Sequence, residues 1–272
     1  MAGRIAILAG DGKLPLLLHY VLPEAICVIF RGSPHQFEVG QSLINARFER
    51  LGELFETLKS EGVTTVVFAG SMSRPTLNYK KFDDFTHGVA NQLCEMLRQG
   101  DDALLRFVLG LFDTNGFKIT SAVQLIPDLV AEPGMLIGSY DEHREKDIQK
   151  ADKLLELMSS SDIGQAAVVE NGLVLGVETL QGTDRLLQFV AETDPTLRDH
   201  FQKGVLVKRP KTKQDLRVDM PAIGPNTIEA VSKAGLSGIV ISPRTVLLIE
   251  RKKMLSLADQ RDIFILARDV KL

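Results

Sequence analysis

The chain of 272 residues is long enough for two ordinary domains, and its 44% of hydrophobic residues can form a sizeable core. A net charge of −3 excludes the basic surface of a general nucleic-acid-binding protein. Two cysteines, Cys27 and Cys94, are too few for a disulfide framework or a cysteine metal site, which fits a reducing cytoplasm. The N-terminal apolar run is too short for a signal peptide, and no run reaches the roughly 18 residues of a membrane-spanning helix.

Apolar runs typical of buried strands alternate with helical patterns in the first half of the chain. The runs are 4–9, 25–30 and 64–69, and the clearest helical pattern is 51–61. This alternation predicts an N-terminal Rossmann-like domain over residues 1–130, with a parallel sheet covered by helices.

Glycine follows two of these predicted strands. Gly10 and Gly12 follow the first strand, and Gly70 and Ser71 follow the third. Ligands of parallel sheets bind at the carboxyl ends of the strands, so these four residues are candidates for contact with a nucleotide-like ligand. A tight turn that needs positive φ is the alternative for Gly10 and Gly12.

The dinucleotide-binding fingerprint is incomplete. Pro15 occupies the position of its third glycine, and Arg31 rather than an acid follows the second strand. Both features argue against a nicotinamide-dependent oxidoreductase.

A helical pattern over 88–116 is interrupted at Gly100. Asp101 is the predicted N-cap of the helix that follows, with Asp102 favourably placed near its positive end. As an alternative, Asp101, Asp102 and Arg106 share one helical turn and could meet a ligand or a metal.

Residues 131–141 lose periodicity and contain Pro133, Gly134 and Gly138, which predicts a linker. Beyond it, residues 142–272 form a predicted C-terminal α/β domain with a mixed sheet. A surface helix is predicted over 142–158. A hairpin follows, because Asn171-Gly172 separates two apolar runs, 166–169 and 173–177.

Polar residues collect after this hairpin, before a helical pattern that begins at Leu186. Thr183, Asp184 and Arg185 offer a hydroxyl, a carboxylate and a guanidinium beside the N–H groups of a first helical turn. Such a junction suits a phosphate-bearing ligand. The alternative is that Thr183 or Asp184 is only an N-cap and that Arg185 is solvated.

Two features of the last third of the chain point to charge chemistry. Four cations lie between Lys208 and residue 213, and a solvated face is the usual fate of such a run. Asp219 stands between Val218 and Met220, an apolar setting in which a carboxylate must find a partner, a metal or a substrate.

Six motifs together resemble one family. They are Ala9 to Pro15, Ala69 to Pro75, Gly100 to Arg106, Asp162 to Gln165, Gln181 to Asp184 and Arg217 to Gly224. The chain resembles, along essentially its whole length, the UDP-2,3-diacylglucosamine pyrophosphatase of lipid A biosynthesis, of the type unrelated to calcineurin-like phosphoesterases. One departure is Asp11, where the family often has a small residue.

The resemblance implies hydrolysis of UDP-2,3-diacylglucosamine to UMP and 2,3-diacylglucosamine 1-phosphate (lipid X), with Mg²⁺ or another divalent cation such as Mn²⁺. It also implies a cytoplasmic, dimer-forming enzyme of Gram-negative bacteria, with two domains and the ligand between them. Such an enzyme takes its lipid from the inner membrane surface. The two acyl chains require an apolar groove, which no stretch of the sequence marks.

The resemblance implies that Asp219 is the catalytic residue and a ligand of the metal ion. The other assignments are hypotheses: Gly10, Gly12, Gly70 and Ser71 contact substrate from the first domain. From the second domain, substrate contacts are assigned to Gln165, Thr183, Asp184, Arg185, Lys208, Gly224 and Thr227. A non-catalytic nucleotide-sugar binding or sensing module is the alternative, because the same residues could hold a ligand without cleaving it.

Overall fold

The computed structural model describes residues 3–37, 43–72, 75–198, 202–212 and 214–269, apart from the side chain of Asp101. Ser73, Arg74 and Lys213, which belong to the motifs above, lie outside these ranges. The chain divides into two compact units, Met1–Pro127 and Asp128–Leu272.

The first unit contains the predicted parallel sheet. Its described strands are β1 (Arg4–Ala9), β2 (Ile26–Phe30), β3 (Leu43–Ala46), β4 (Val63–Ala69) and β5 (Lys118–Thr120). They lie in the order β3-β2-β1-β4-β5 and every pair is parallel. The Rossmann-like prediction is confirmed. The sequence missed β3 and β5 because both are short and only partly buried, which leaves no continuous apolar run.

The helices of this unit are α1 (Leu14–Val21), α2 (Leu51–Ser60), α3 (Asp84–Gly88), α4 (Ala90–Gln99), α5 (Asp101–Thr114) and α6 (Ala122–Leu125). Of these, α1, α2, α5 and α6 pack against strands of the sheet, α3 packs against α2, and α4 packs against α5. Phe55 of α2 lies at the centre of the core, with its ring edge-on to Phe85 and Phe112 at centroid distances of 5.2 and 5.0 Å.

The break at Gly100 separates α4 from α5, as predicted, but the cap differs. Gly100 itself is the N-cap, with φ of 126°, and Asp101 is the first helical residue. Asp101 as N-cap is therefore wrong by one position. Asp102 forms an ion pair of 2.5 Å with Arg106, one turn along the helix, which accounts for its charge by a local contact.

The second unit contains the predicted mixed sheet. Its described strands are β6 (Gly134–Ile137), β7 (Ala166–Glu170), β8 (Leu173–Val177), β9 (Val205–Lys208), β11 (Gly238–Ile241) and β13 (Phe264–Ala267). They lie in the order β6-β13-β11-β9-β7-β8, with β9, β11 and β13 parallel and the other pairs antiparallel. A separate short pair joins β10 (Ala222–Ile223) to β12 (Leu247–Leu248).

Two apolar layers enclose this sheet. Alternate residues of β7 belong to different layers: Val168 packs with α8 (Gly182–Ala191), α9 (Pro225–Lys233) and α10 (Arg251–Gln260), and Val169 packs with α7 (Glu142–Ser159). The predicted surface helix is thus α7, which buries one stripe of apolar residues against the sheet.

The segment 131–141, predicted as a linker, belongs to the second unit. Residues 134–137 form β6, which pairs antiparallel with β13, and Ala131 is buried in the core. An exposed four-residue strand next to Pro133 leaves little periodicity, so the sequence resembled a linker.

The predicted hairpin between β7 and β8 is confirmed. Asn171 and Gly172 have φ of 46° and 75°, the left-handed pair that a two-residue turn of this kind requires. The buried carboxylate of Asp147 on α7 accepts from both backbone N–H groups, at 2.9 and 2.6 Å. The turn is therefore held by the helix beneath it.

Candidate functional site

In the first unit, the predicted glycine turns lie side by side at the carboxyl ends of β1 and β4. The chain runs outward from β1 through β2 and β3 on one side, and through β4 and β5 on the other. Ligands of open parallel sheets bind at this reversal of strand order. Asp11 and Ser71 exchange two backbone hydrogen bonds of 2.8 and 3.1 Å, which fasten the two turns together.

Glycine is required here because the two backbones touch. A Cβ on Gly10 would lie 2.8 Å from the carbonyl carbon of Ser71, and Gly70 has φ of 84°. Gly12 has φ of 99° and nothing within 4 Å of its Cβ position. The tight turn that needs positive φ is therefore confirmed for Gly12 and not for Gly10, where glycine is required by the close approach of the Ser71 backbone. Asp11 leaves the turn intact, since its carboxylate accepts from the N–H of Gly12 at 2.7 Å.

A cleft of about 420 Å³ lies at the carboxyl ends of β2 and β3. Arg31, Ser33 and His35 line it after β2, and Arg47 lines it after β3. None of these residues was predicted from the sequence to belong to a site. A cation directly after each of two neighbouring strands is the signal that could have found them, but β3 itself was not predicted.

In the second unit, one end of the sheet collects the predicted polar residues. Ala166 pairs with Lys208 across β7 and β9, so Gln165 lies beside the end of β9. Because β8 runs antiparallel to β7, Glu178, directly after β8, lies at the same end. This end is also the carboxyl end of the parallel strands β9 and β11.

Lys208 is the centre of a buried series of hydrogen bonds, called the polar chain below, which joins Glu178, Thr183, Lys208 and Ala222. Its side chain is only 6% exposed, and its Nζ donates to Thr183 Oγ1 at 2.7 Å and to the carbonyl of Ala222 at 3.0 Å. The hydroxyl of Thr183 in turn donates to the buried carboxylate of Glu178. Burial lowers the pKa of Lys208, while the charges of Glu178 and Asp184 act to raise it.

Thr183, Asp184 and Arg185 lie within the first turn of α8 rather than before it. The helix begins at Gly182, four residues earlier than predicted, and its N-cap is Gln181 without a side-chain capping bond. Thr183 or Asp184 as N-cap is therefore wrong: the Thr183 hydroxyl bonds Glu178 instead. Asp184 and Arg185 are exposed, and Arg185 donates to Gln188 at 2.6 Å.

Asp219 is exposed, so the expected apolar setting is wrong. Its neighbours Val218 and Met220 are only half-buried, because residues 214–221 form no strand or helix that would cover them. Its carboxylate accepts from Gln214 Nε2 at 2.7 Å, and the same amide group lies 3.3 Å from Gln165 Oε1. Gln214, missed in the sequence, thus connects Asp219 to the Lys208 end of the sheet.

Gly224 and Thr227 lie at the start of α9. Gly224 is the N-cap, and its N–H donates to the hydroxyl of the buried Thr227 at 3.2 Å. This hydrogen bond gives Gly224 and Thr227 a structural role at the start of the helix. Their segment still reaches the polar chain, because Ala222 two residues earlier accepts from Lys208.

The cationic run after β9 is not the solvated face that such runs usually form. Arg209 is buried and donates to Asp152 at 2.7 Å and to Ser242 at 2.8 Å, and burial lowers its pKa. Lys211 forms an ion pair of 2.6 Å with Asp162. Within the described part of this run, every cation has an acidic or polar partner.

Family models place the chain in a known group. The LpxI N-terminal domain matches residues 4–129 and the LpxI C-terminal domain matches residues 132–266. The chain belongs to the LpxI family. It is similar to the UDP-2,3-diacylglucosamine pyrophosphatase LpxI of Caulobacter vibrioides, with 39% identity over 222 residues that cover 80% of this chain and 79% of that protein.

A divalent cation is expected only from the resemblance, and the residues present favour one mode of binding over another. Among the described residues, no group of three or more His, Cys, Asp or Glu side chains could enclose a metal ion. Mg²⁺, however, is often held by one or two carboxylates together with substrate phosphates and water. The exposed carboxylate of Asp219 fits that second mode and not a protein cage.

No helix within the described ranges of this LpxI family member has the length and apolar character needed to cross a membrane.

Proposed function

We propose that this chain hydrolyses the pyrophosphate bond of UDP-2,3-diacylglucosamine to UMP and lipid X in lipid A biosynthesis. The similarity to the Caulobacter pyrophosphatase, which extends over both units, carries this proposal. In the reaction, water adds to one phosphorus, the bond from that phosphorus to the bridging oxygen breaks, and the bridging oxygen leaves with the other phosphate.

Lys208 and the first turn of α8 bind the pyrophosphate. The buried ammonium is positioned by Thr183 and Ala222, so little reorganisation is needed when a phosphate arrives. The N–H of Gly182 donates to the carbonyl of Thr179 at 3.0 Å, and the N–H groups that follow it in the first turn of α8 favour an anion. Arg185, exposed on the same turn, adds positive charge.

Asp219 orients the attacking water and accepts its proton. An exposed carboxylate can meet both solvent and substrate, and Gln214 fixes one of its oxygens. Asp219 would also hold Mg²⁺ or Mn²⁺. When bound, the ion supplies positive charge that polarises the phosphoryl oxygens.

The first unit binds the nucleotide. Its turns at Gly10 and Gly70 bring bare backbone to the carboxyl ends of β1 and β4, and Arg31 and Arg47 line the adjacent cleft. Both guanidinium groups suit phosphate oxygens or the carbonyl groups of a base. We further propose a cytoplasmic homodimer that collects its lipid substrate at the inner membrane surface.

The decisive experiment measures UMP release from UDP-2,3-diacylglucosamine with Mg²⁺. Wild type should release UMP, EDTA should stop the release, and Asp219→Asn should lower kcat by about 10²-fold or more while the substrate still binds. Glu229→Gln, which removes a partly exposed carboxylate of α9 that pairs with Arg261, is the matched control and should keep the wild-type rate.

Two results would change the proposal. Tight binding of intact substrate without release by the wild type would replace hydrolysis with the nucleotide-sugar binding module. Release by Asp219→Asn at the wild-type rate would keep the activity and remove Asp219 from the chemistry.

A further inference from the structure

A groove of about 360 Å³ lies between β8 and α8. Gly176 and Val177 of the strand and Leu186 and Phe189 of the helix form its apolar part. Glycine at position 176 lets α8 pack closely on the strand, since a Cβ there would lie 2.6 Å from Leu186 Cδ1 and 3.6 Å from the ring of Phe189. The side chains of Leu186 and Phe189 therefore form one wall of the groove next to the strand backbone.

The groove has a polar end that joins the candidate site. Thr179 and Arg185 line that end, and Thr179 directly follows Glu178, the carboxylate that accepts from Thr183. A ligand whose phosphate is held by Arg185 would therefore have an apolar channel next to it.

Large apolar side chains surround the groove in solvent. Phe189 is 62% exposed, and Leu180, in the loop between β8 and α8, is 91% exposed. Exposed apolar residues of this size next to a polar binding site mark a place where an apolar ligand group leaves water.

We propose that the groove between β8 and α8 binds one acyl chain of the diacylated substrate. This inference rests on the proposed function, since that substrate pairs an anionic pyrophosphate with fatty acyl groups. The arrangement matches such a molecule: cationic and N–H groups lie at one end of the groove and hydrocarbon lines the rest.

A second copy of the chain fits this surface less well. A stable dimer interface contains about 20–30 residues on each side. Around the groove, Phe189 is flanked on the exposed face of α8 by the polar residues Arg185, Gln188 and Glu192, which bond to one another. A narrow apolar strip with a polar border suits a chain-like ligand.

The sequence contains no tryptophan, so Phe189→Trp introduces a single tryptophan, which can be excited separately from the three tyrosines, into the groove. The probe is 2,3-diacylglucosamine 1-phosphate with brominated acyl chains, since bromine quenches tryptophan only at close range. The control is Leu157→Trp on α7, a helix that packs on the other face of the sheet, at a position that is 73% exposed. We expect saturable quenching of Trp at 189 and none at 157.

Three outcomes would overturn the inference: no quenching at 189, equal quenching at both positions, or equal quenching at 189 by brominated phosphatidylglycerol vesicles without the probe. A shift of the emission at 189 with protein concentration alone would also overturn it, in favour of a second copy.

A kinetic experiment separates this inference from the proposed function. With the long-chain substrate, Phe189→Asp should raise KM about tenfold, roughly the contribution of one buried aromatic side chain, and Leu157→Asp should leave it unchanged. If wild type releases UMP normally and Phe189→Asp leaves KM unchanged, the acyl-chain groove is rejected and the proposed function stands. No release by wild type would reject the function, whatever the quenching shows.

Discussion

Because Lys208 is buried, raising the pH should increase the stability of the protein and decrease its activity. Burial lowers its pKa below the ordinary 10.5, so the folded protein loses this proton before the unfolded chain does as the pH rises. Between the lowered value and 10.5 the unfolded state binds more protons, and stability should therefore rise with pH. Activity should fall over the same window, because the positive charge that attracts the phosphate disappears.

This prediction needs two measurements across the alkaline range, the free energy of unfolding in urea and kcat/KM for UMP release. Lys208→Met is the matched variant, of similar length and without charge. It should have low activity at every pH and should lose the alkaline gain in stability. An alkaline gain of unchanged size in Lys208→Met would show that another group is responsible.

Asp219 shows why the site could be predicted only in part from residue types. The motif identified the carboxylate, but its environment depends on the path of residues 214–221, a stretch without periodicity in the sequence. Gln214 was missed for the same reason, since its contact with Asp219 crosses that stretch. Lys208 was recognised as part of a cationic run, but its burial follows from the contact with Thr183 of α8, which the sequence did not indicate.

At the scale of elements, strong local signals were predicted well and weak ones were not. The hairpin followed from Asn171-Gly172, whose positive φ values few other pairs adopt. The start of α8 was misplaced because Gly182 and Thr183 are poor helix formers, and a tertiary bond from Thr183 to Glu178 outweighs that tendency.

Asp147→Ala should destabilise the protein by about 2–4 kcal/mol, because the N–H groups of Asn171 and Gly172 would lose their shared acceptor. The residual activity per folded molecule should be unchanged. The turn lies at the opposite end of β7 from Gln165, and a five-residue strand spans about 17 Å.

Urea unfolding and UMP release at low temperature test this prediction together. Glu156→Ala, on the same helix and exposed, should change neither quantity. Lost activity in Asp147→Ala while the fold remains intact would mean that the hairpin affects the site directly.

At the scale of the whole molecule, two α/β units were predicted, and the sheet of each has the expected character. The position of the division was harder to predict. Pro133, Gly134 and Gly138 resemble a linker locally, yet β6 between them completes the sheet of the second unit. Such an edge strand is recognised only through its partner, and β13 lies more than a hundred residues later.

The two possible boundaries can be separated with fragments. Residues 128–272 retain the whole second sheet and should unfold cooperatively in urea. Residues 142–272 lack β6, which leaves an edge of β13 unpaired, and they lack Ala131, which is buried and accepts from Arg244 N at 2.8 Å. We expect this shorter fragment to lose several kcal/mol or to aggregate, as circular dichroism and light scattering would show. Equal unfolding midpoints for the two fragments would mean that β6 contributes little and that residues 131–141 act as a linker after all.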